Sequence, residues 1–403
     1  MYSLLSLLGV FALALYMLRL KINLGLSLLA ASGTLLALHG VPPVSAVSLT
    51  ITTFTDLANL ELFASVLAIM CLATFLSRTG GIERMVQTGK NLVRGKKRLS
   101  VALPFMVGLL PMPGGALFSA PMVGASRPSH RTTTSTLTFI NYWFRHVWEY
   151  VLPLYPAILL LSTITDVPLS WVMSRHLPFA LIAAAAGWWV VRREPEEEFE
   201  GGDMEEQEPN NGLNGLFQAL SPVAVPVLVI LSGGPAWLGA SLGIVVSALS
   251  RRIAVRKVFS SLWVKASGGL VLDIAGILVF QTVLLGTGVV NEMVDYLVAR
   301  DLPVLALGMG IPFLVALVSG FSAAFVGIAL PVVLPILSGY PVEAILPLIF
   351  MGGYAGIIFS PTHLCLVVSC RYFDVQLSSV YRKMVMPTLA VASWGIFWFF
   401  LNR

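Results

Sequence analysis

The amino-acid sequence predicts an all-α polytopic membrane protein built as two inverted repeats, each of five spans plus one re-entrant hairpin. Three observations carry that prediction. The chain has 403 residues, 57% of them hydrophobic and only 11% charged, with a mean hydropathy of +0.86. A soluble chain carries about a quarter charged residues, so this one cannot cover a water-facing surface. Its apolar residues fall into runs of spanning length separated by short basic clusters, and the chain matches itself when shifted by 208 positions.

Taken in order, the spanning runs are 3–18, 22–38, 60–76, 135–165, 177–191, 216–231, 237–249, 267–285, 345–369 and 384–401. The first has no Lys or Arg ahead of it and is followed by Arg19, the wrong order for a cleavable signal peptide, so it reads as a retained span. Several runs are shorter than the ~20 residues that cross a bilayer perpendicularly, so their helices are expected to extend into the flanks. Two further apolar stretches, 99–123 and 302–337, are broken at their middles. The breakers are Pro111-Met112-Pro113-Gly114-Gly115 in the first and Ser319-Gly320-Phe321-Ser322 in the second. Each reads as a re-entrant helical hairpin, because unpaired backbone at membrane depth survives only when buried in protein or lining a wet cavity. The alternative is one kinked span apiece.

Charge sets the orientation. With ten crossings, 21 of the 25 Lys and Arg residues fall on one side, which the positive-inside rule makes cytoplasmic. Both termini are then outside an inner (plasma) membrane. Nine of the twenty acidic residues lie between Glu194 and Glu208, in a cytoplasmic linker (193–213) that joins repeat 1 (1–192) to repeat 2 (214–403). The net charge of +5 is dispersed between apolar runs rather than gathered on one face, which argues against a nucleic-acid partner. Cys71, Cys365 and Cys370 are odd in number and without paired spacing, so neither a disulfide framework nor a zinc site is expected.

The repeat is marked by punctuation residues. At the shift of 208, Thr79-Gly80 meets Thr287-Gly288, Pro104-Phe105 meets Pro312-Phe313, Pro153 meets Pro361, and Asp166-Val167 meets Asp374-Val375. Five crossings per copy is an odd number, so the second copy inverts. Inverted repeats with discontinuous elements put a substrate site near the midplane and work by alternating access.

That order of spans and hairpins resembles the ion transporter superfamily, which includes gluconate permeases and sodium-coupled dicarboxylate symporters. The stretches Leu110-Pro-Met-Pro-Gly-Gly-Ala-Leu-Phe-Ser-Ala-Pro and Asn141-Tyr-Trp-Phe-Arg-His-Val-Trp-Glu are similar to its ten-span branch, the domain-of-unknown-function 401 family. The Ser-Asn-Thr hairpin motif of the dicarboxylate symporters is absent, which leaves the substrate open. The resemblance implies a substrate and coupling ion held between hairpin tips and broken helices. By position this indicates Pro113, Gly114 and Gly115 with Asn141, and Ser319, Gly320 and Ser322 with Ser360 and Thr362. It also implies a homodimer and an elevator-type movement.

The residues add chemistry of their own. Arg145 and Glu149 stand four apart on one helical face of a broken span, with His146 beside them. A charge at the bilayer centre costs roughly 2.5 to 3.5 kcal/mol, so the group must face a cavity or a partner. Arg145 suits an anionic group, and Glu149 either orients it or carries a proton; a structural ion pair is the alternative. Asp273, inside another span, either carries a proton, partners Arg145 or is solvated near the interface. His363 follows Ser360-Pro361-Thr362, where Pro361 removes a backbone donor and frees carbonyls. The hydroxyls of Ser319, Ser322, Ser360 and Thr362 with such carbonyls are hard ligands that suit sodium, whereas a lone His often only hydrogen-bonds a neighbouring helix. The run Gly352-Gly353-Tyr354-Ala355-Gly356 serves either close packing or access.

The expected function is secondary active transport of a small organic anion, a carboxylate or sugar acid, coupled to protons or sodium. A lipid-phosphate flippase of the same architecture is the alternative. An intramembrane enzyme fits less well, because the chain has no His-Glu-x-x-His, no Gly-x-Ser-x-Gly and no paired aspartates. No cofactor is implied.

Overall fold

The computed structural model describes residues 2–20, 22–93, 95–111, 115–195, 212–262, 267–289, 292 and 303–403. Among them the chain is helical, with no strand. Of the stretch 289–300 only Val289 and Glu292 are described, and most of the acidic linker lies outside the described residues, as do Pro113 and Gly114.

The first half opens with α1 (Tyr2–Arg19), α2 (Leu24–Leu38), α3 (Pro43–Thr55) and α4 (Leu57–Arg78). Helix α3 is not foreseen by hydropathy, because its run is rich in hydroxyls. Thr50, Thr53 and Thr55 donate back to carbonyls one turn earlier, which satisfies their hydroxyls within the helix, while Val44, Val47 and Ile51 are exposed. Pro at its first turn costs nothing, since that N–H has no helical partner. The arm α5 (Gly81–Leu92) then leads to the hairpin arms α6 (Lys96–Val107) and α7 (Gly115–Ala125), which pack on each other.

The span expected at 135–165 is two half-helices. α8 (Thr134–His146) runs into a 3₁₀ turn, Val147–Tyr150, and α9 (Pro156–Thr165) restarts after Pro153. α10 (Leu169–Val191) closes the half. The second half follows with α11 (Gly212–Leu231), α12 (Ala236–Ser250), α13 (Val255–Leu262) and α14 (Ser267–Gly286). Its hairpin is α15 (Ile311–Ser319), entered through a wide π-turn at Ala306–Gly310, and α16 (Ser322–Ile336). Its broken span is α17 (Val342–Phe359) and α18 (Leu364–Tyr372), and α19 (Leu377–Asn402) ends the chain.

Four helical segments among the described residues are long and apolar enough to cross a membrane: Leu57–Arg78, Leu169–Val191, Val342–Tyr372 and Leu377–Asn402. The other runs are shorter; the 15 residues of α2 make a rod of about 22 Å at 1.5 Å per residue, against a hydrocarbon core of about 30 Å. Leu181, Leu228, Met386 and Leu401 are exposed along the outer helices, the surface a bilayer covers. The chain is a multi-pass membrane protein.

The 208 shift recurs in three dimensions. α8, α9 and α10 begin at 134, 156 and 169; α17, α18 and α19 begin at 342, 364 and 377. Gly80 and Gly288 both take positive φ (72° and 71°), and so do Asp166 and Asp374 (55° and 51°). Contacts between the halves are reciprocal as well. α2 packs on α14 and, at the shifted positions, α12 packs on α4; α9 packs on α16 and α18 on α7; α10 pairs with α19.

The closest packing is between α2 and α14. A Cβ on Gly25 would lie 2.0 Å from the Leu272 carbonyl oxygen, and one on Gly276 would lie 2.4 Å from the Gly25 carbonyl oxygen. The small-residue run in α17 is likewise a packing surface. Added Cβ atoms on Gly352 and Gly356 would meet the backbone of Met309 and Phe313 at 2.5 and 2.3 Å. Of the two readings of that run, the structure favours close packing over access.

Candidate functional site

The two broken helices and both hairpins converge on one buried cluster. In the first half, the strand of chain after α8 is positioned by α6. Trp148 Nε1 donates to the Phe105 carbonyl (2.9 Å) and the Tyr155 hydroxyl to the Gly108 carbonyl (2.6 Å). Gly108 has no side chain for a reason: a Cβ there would lie 2.1 Å from the Arg145 carbonyl oxygen.

Arg145 and His146 end α8, and Glu149 sits on the 3₁₀ turn, so the straight four-residue spacing expected from sequence does not hold. A 3₁₀ turn eclipses residues three apart. Glu149 Oε1 accordingly lies 3.7 Å from His146 Nε2. Arg145, His146 and Glu149 are 2%, 1% and 8% exposed. The guanidinium lies against the first hairpin tip, because a Cβ on Gly115 would come within 2.5 to 2.9 Å of its atoms. Its Nη1 donates to Cys365 Sγ (3.3 Å), at the start of α18.

The second break, Ser360–His363, is tied to the second hairpin. Ser360 donates to the Leu317 carbonyl (2.7 Å), and Thr362 to the Val318 carbonyl (3.2 Å); the two hydroxyls are 2.9 Å apart. Gly320 ends α15 with φ 67°, a left-handed conformation that Gly adopts without steric cost. Its carbonyl faces His363 Nδ1 at 2.8 Å, and His363 Nε2 reaches His146 Nε2 at 3.1 Å. Ser319 lies within weak hydrogen-bond range of the Ala316 carbonyl (3.5 Å), and Ser322 opens α16.

Two tyrosines cross between the halves at this point. The Tyr354 hydroxyl donates to the His146 carbonyl (2.6 Å), and the Tyr142 hydroxyl approaches the Ile357 and Ile358 carbonyls (3.3 and 3.4 Å). Tyr354 stands at the 208 shift from His146. The bond therefore joins corresponding positions of the two halves.

Asn141 is brought near but is used by the protein itself. It accepts from Ser119 (2.6 Å) and donates to the Ala116 carbonyl (3.2 Å) and to Ser369 (2.8 Å), joining α7, α8 and α18. Asp273 is not brought to the cluster. Its carboxylate accepts from the Gly25 N–H at 2.9 Å and from Asn23, so it caps the N-terminus of α2.

Sequence reasoning missed Cys365, Ser119 and Ser369, because small polar residues inside apolar runs leave no spacing signal. It also missed a cavity of about 470 Å³ lined by Glu61, Ser65, Thr163, Asp166, Ser170 and Gly234, between α4, α9 and the α11–α12 turn. None of the sequence-predicted site residues lines it.

The chain belongs to the DUF401 family, described as a protein family of unknown function, whose profile matches residues 1–400. No protein of curated function matches the sequence. In fold it is similar to the Alcanivorax borkumensis YdaH transporter, with a TM-score of 0.67 and 14% identity over 89% of each chain. It is also similar to Neisseria gonorrhoeae MtrF, whose structure is presented as illuminating a class of antimetabolite efflux pumps. That match has a TM-score of 0.58 and 14% identity over 89% of this chain and 85% of the other.

Proposed function

We propose that the protein is a secondary active transporter of a small organic anion, a carboxylate or sugar acid, driven by protons or sodium. The observation that carries this reading is the meeting of a buried arginine with a hairpin tip: the Arg145 guanidinium against Gly115, with the second break beside it. A guanidinium held at a glycine tip offers planar donors to a carboxylate, and the tip allows the ligand to approach the backbone. Ser360, Thr362, Ser319 and Ser322, with the carbonyls of the second hairpin, are oxygen donors of the kind a sodium ion takes. Glu149 is the carboxylate that suits the proton alternative.

The fold likeness to YdaH and MtrF supports transport as the class of activity. Reciprocal contacts between α2–α14 and α12–α4 support two copies of one unit, repeat 1 over 1–192 and repeat 2 over 214–403, inverted about the cluster. On this reading the hairpins and broken helices move together against α2, α4, α12 and α14, an elevator-type exchange. A homodimer in the inner membrane, with both termini outside and the linker cytoplasmic, completes the reading.

Uptake of organic anions into proteoliposomes under imposed sodium and proton gradients tests it. Gradient-dependent uptake by the wild type that disappears in Arg145→Gln is the expected result. Folded protein that neither takes up nor exchanges any organic anion contradicts it.

A further inference from the structure

The hydrogen bonds of the two central histidines leave a specific kind of gap between them. His146 Nδ1 lies 2.5 Å from the Tyr142 carbonyl oxygen, and His363 Nδ1 lies 2.8 Å from that of Gly320. A carbonyl oxygen only accepts, so each neutral ring carries its hydrogen on Nδ1 and presents an unprotonated Nε2. Those two nitrogens face each other at 3.1 Å. Two lone pairs at that separation repel, and a cation that both can bind turns the repulsion into attraction.

We propose that this point is a transition-metal site of the zinc class, with His146 Nε2, His363 Nε2 and the Cys365 thiolate as ligands and Glu149 as the fourth donor. The three His and Cys donor atoms all lie within 4.8 Å of one another, and Glu149 Oε1 is 3.7 Å from His146 Nε2. Bonds of about 2.0 to 2.3 Å place tetrahedral donors about 3.3 to 3.7 Å apart, so closing the His146–His363–Cys365 set needs a shift of about 1 Å at its widest pair, and Glu149, outside that set, swings in to complete it. Imidazole, imidazole and thiolate form a borderline-soft set that suits zinc and not sodium, calcium or magnesium. Both rings already make the outer contact typical of metal ligands, an Nδ1–H held by a backbone carbonyl. Arg145 Nη1 lies 3.3 Å from Cys365 Sγ, a donor that a thiolate ligand can keep, and metal binding releases the thiol proton to solvent.

The charge balance links the site to the transport reading without depending on it. A dication neutralises the Cys365 thiolate and the Glu149 carboxylate, which leaves the positive charge of Arg145 for an anionic ligand. The ion also joins α8 of the first half to the break of the second, so occupancy holds the two broken helices together.

The test is metal binding to the purified full-length protein in detergent, stripped with chelator and then titrated with Co²⁺ and with Zn²⁺. Tetrahedral Co²⁺ bound to sulfur gives intense visible d–d bands and a near-ultraviolet thiolate-to-metal charge-transfer band. The wild type is expected to bind one ion per chain, to show both bands, and to melt at a higher temperature with Zn²⁺. Cys365→Ser is expected to lose the charge-transfer band and His363→Gln to bind at least tenfold more weakly. Cys71→Ser and Cys370→Ser, which remove thiols elsewhere, are expected to keep the band. Size-exclusion profiles establish that each variant is folded, and the two site variants fail together only if the site is real. The proposal is overturned if the wild type takes up no stoichiometric metal, or if Cys365→Ser and His363→Gln bind as the wild type does. Because the readout is metal itself, its failure is distinct from a failure to transport.

Discussion

The two broken helices occupy the same place in their halves and differ in chemistry. In the first, nine residues separate α8 from α9, and the break carries Glu149 beside Arg145 and His146. In the second, four residues separate α17 from α18, and the break carries Ser360, Thr362 and His363, bonded to carbonyls of the adjacent hairpin. At the positions of Arg145, His146 and Glu149 the second half has Gly353, Tyr354 and Ile357. Gly353 has no space for a side chain, since a Cβ there would lie 2.1 Å from the Phe325 ring. Corresponding places in the two halves therefore hold one charged break and one lined by hydroxyls, and on the transport reading proposed above the first takes the anion and the second the sodium ion.

The largest expected effect separates the two breaks by charge. Arg145→Gln should lower anion uptake by about a hundredfold, in the range found when one member of a buried charge-assisted contact is removed. Arg145→Lys should not restore it, because an ammonium lacks the planar fork. Thr362→Ala should instead leave anion affinity near its wild-type value and weaken the sodium dependence, read as the sodium concentration for half-maximal uptake. If both variants behave alike, the division of labour between the breaks is wrong.

Next come the tips. Gly320→Ala places a Cβ 2.5 Å from Thr362 Oγ1 and forces a left-handed residue. It should cost about 1 to 3 kcal/mol of stability, seen as a lower melting temperature. Gly115→Ala crowds the guanidinium instead and should act on anion affinity more than on melting.

Ser360→Ala removes the donor to the Leu317 carbonyl and should cost about 1 kcal/mol in thermal unfolding. Smallest is Asp273→Asn. It removes a charge at the N-terminus of α2 but keeps an oxygen that can accept from Gly25. A loss of about 0.5 to 1 kcal/mol, with uptake and its pH profile unchanged, is expected in parallel melting and uptake measurements.

These residues also mark what could be read from the chain alone. Helix breaks are legible because Pro and Gly interrupt apolar runs: the half-helix pairs α8–α9 and α17–α18 fall at such interruptions, and the breakers inside 99–123 and 302–337 separate the packed arms α6–α7 and α15–α16. Arg145, His146 and Glu149 were legible because charge inside an apolar run is costly. What stayed hidden depends on distance in space. Cys365 meets His146 across 219 positions, and nothing in its neighbourhood signals that meeting. For Asp273 the sequence leaves open a proton carrier, a partner for Arg145 and a solvated interfacial residue, because sequence gives depth but not direction; the close approach of Gly25 to Gly276 places it at the start of α2. Asn141 is indicated only through the resemblance, and its amide is committed to Ala116, Ser119 and Ser369. Helix α3 was overlooked because its threonines satisfy themselves on their own backbone.

The most direct test of the central claim is a thermal-shift titration of purified wild type, Arg145→Gln and Thr362→Ala with a panel of organic anions, at zero and saturating sodium. A ligand that binds only the folded state raises its melting temperature. The account predicts at least one anion that stabilises the wild type, does so more strongly with sodium, loses its effect in Arg145→Gln, and keeps it without the sodium enhancement in Thr362→Ala. An anion that stabilises the wild type and Arg145→Gln equally would contradict it.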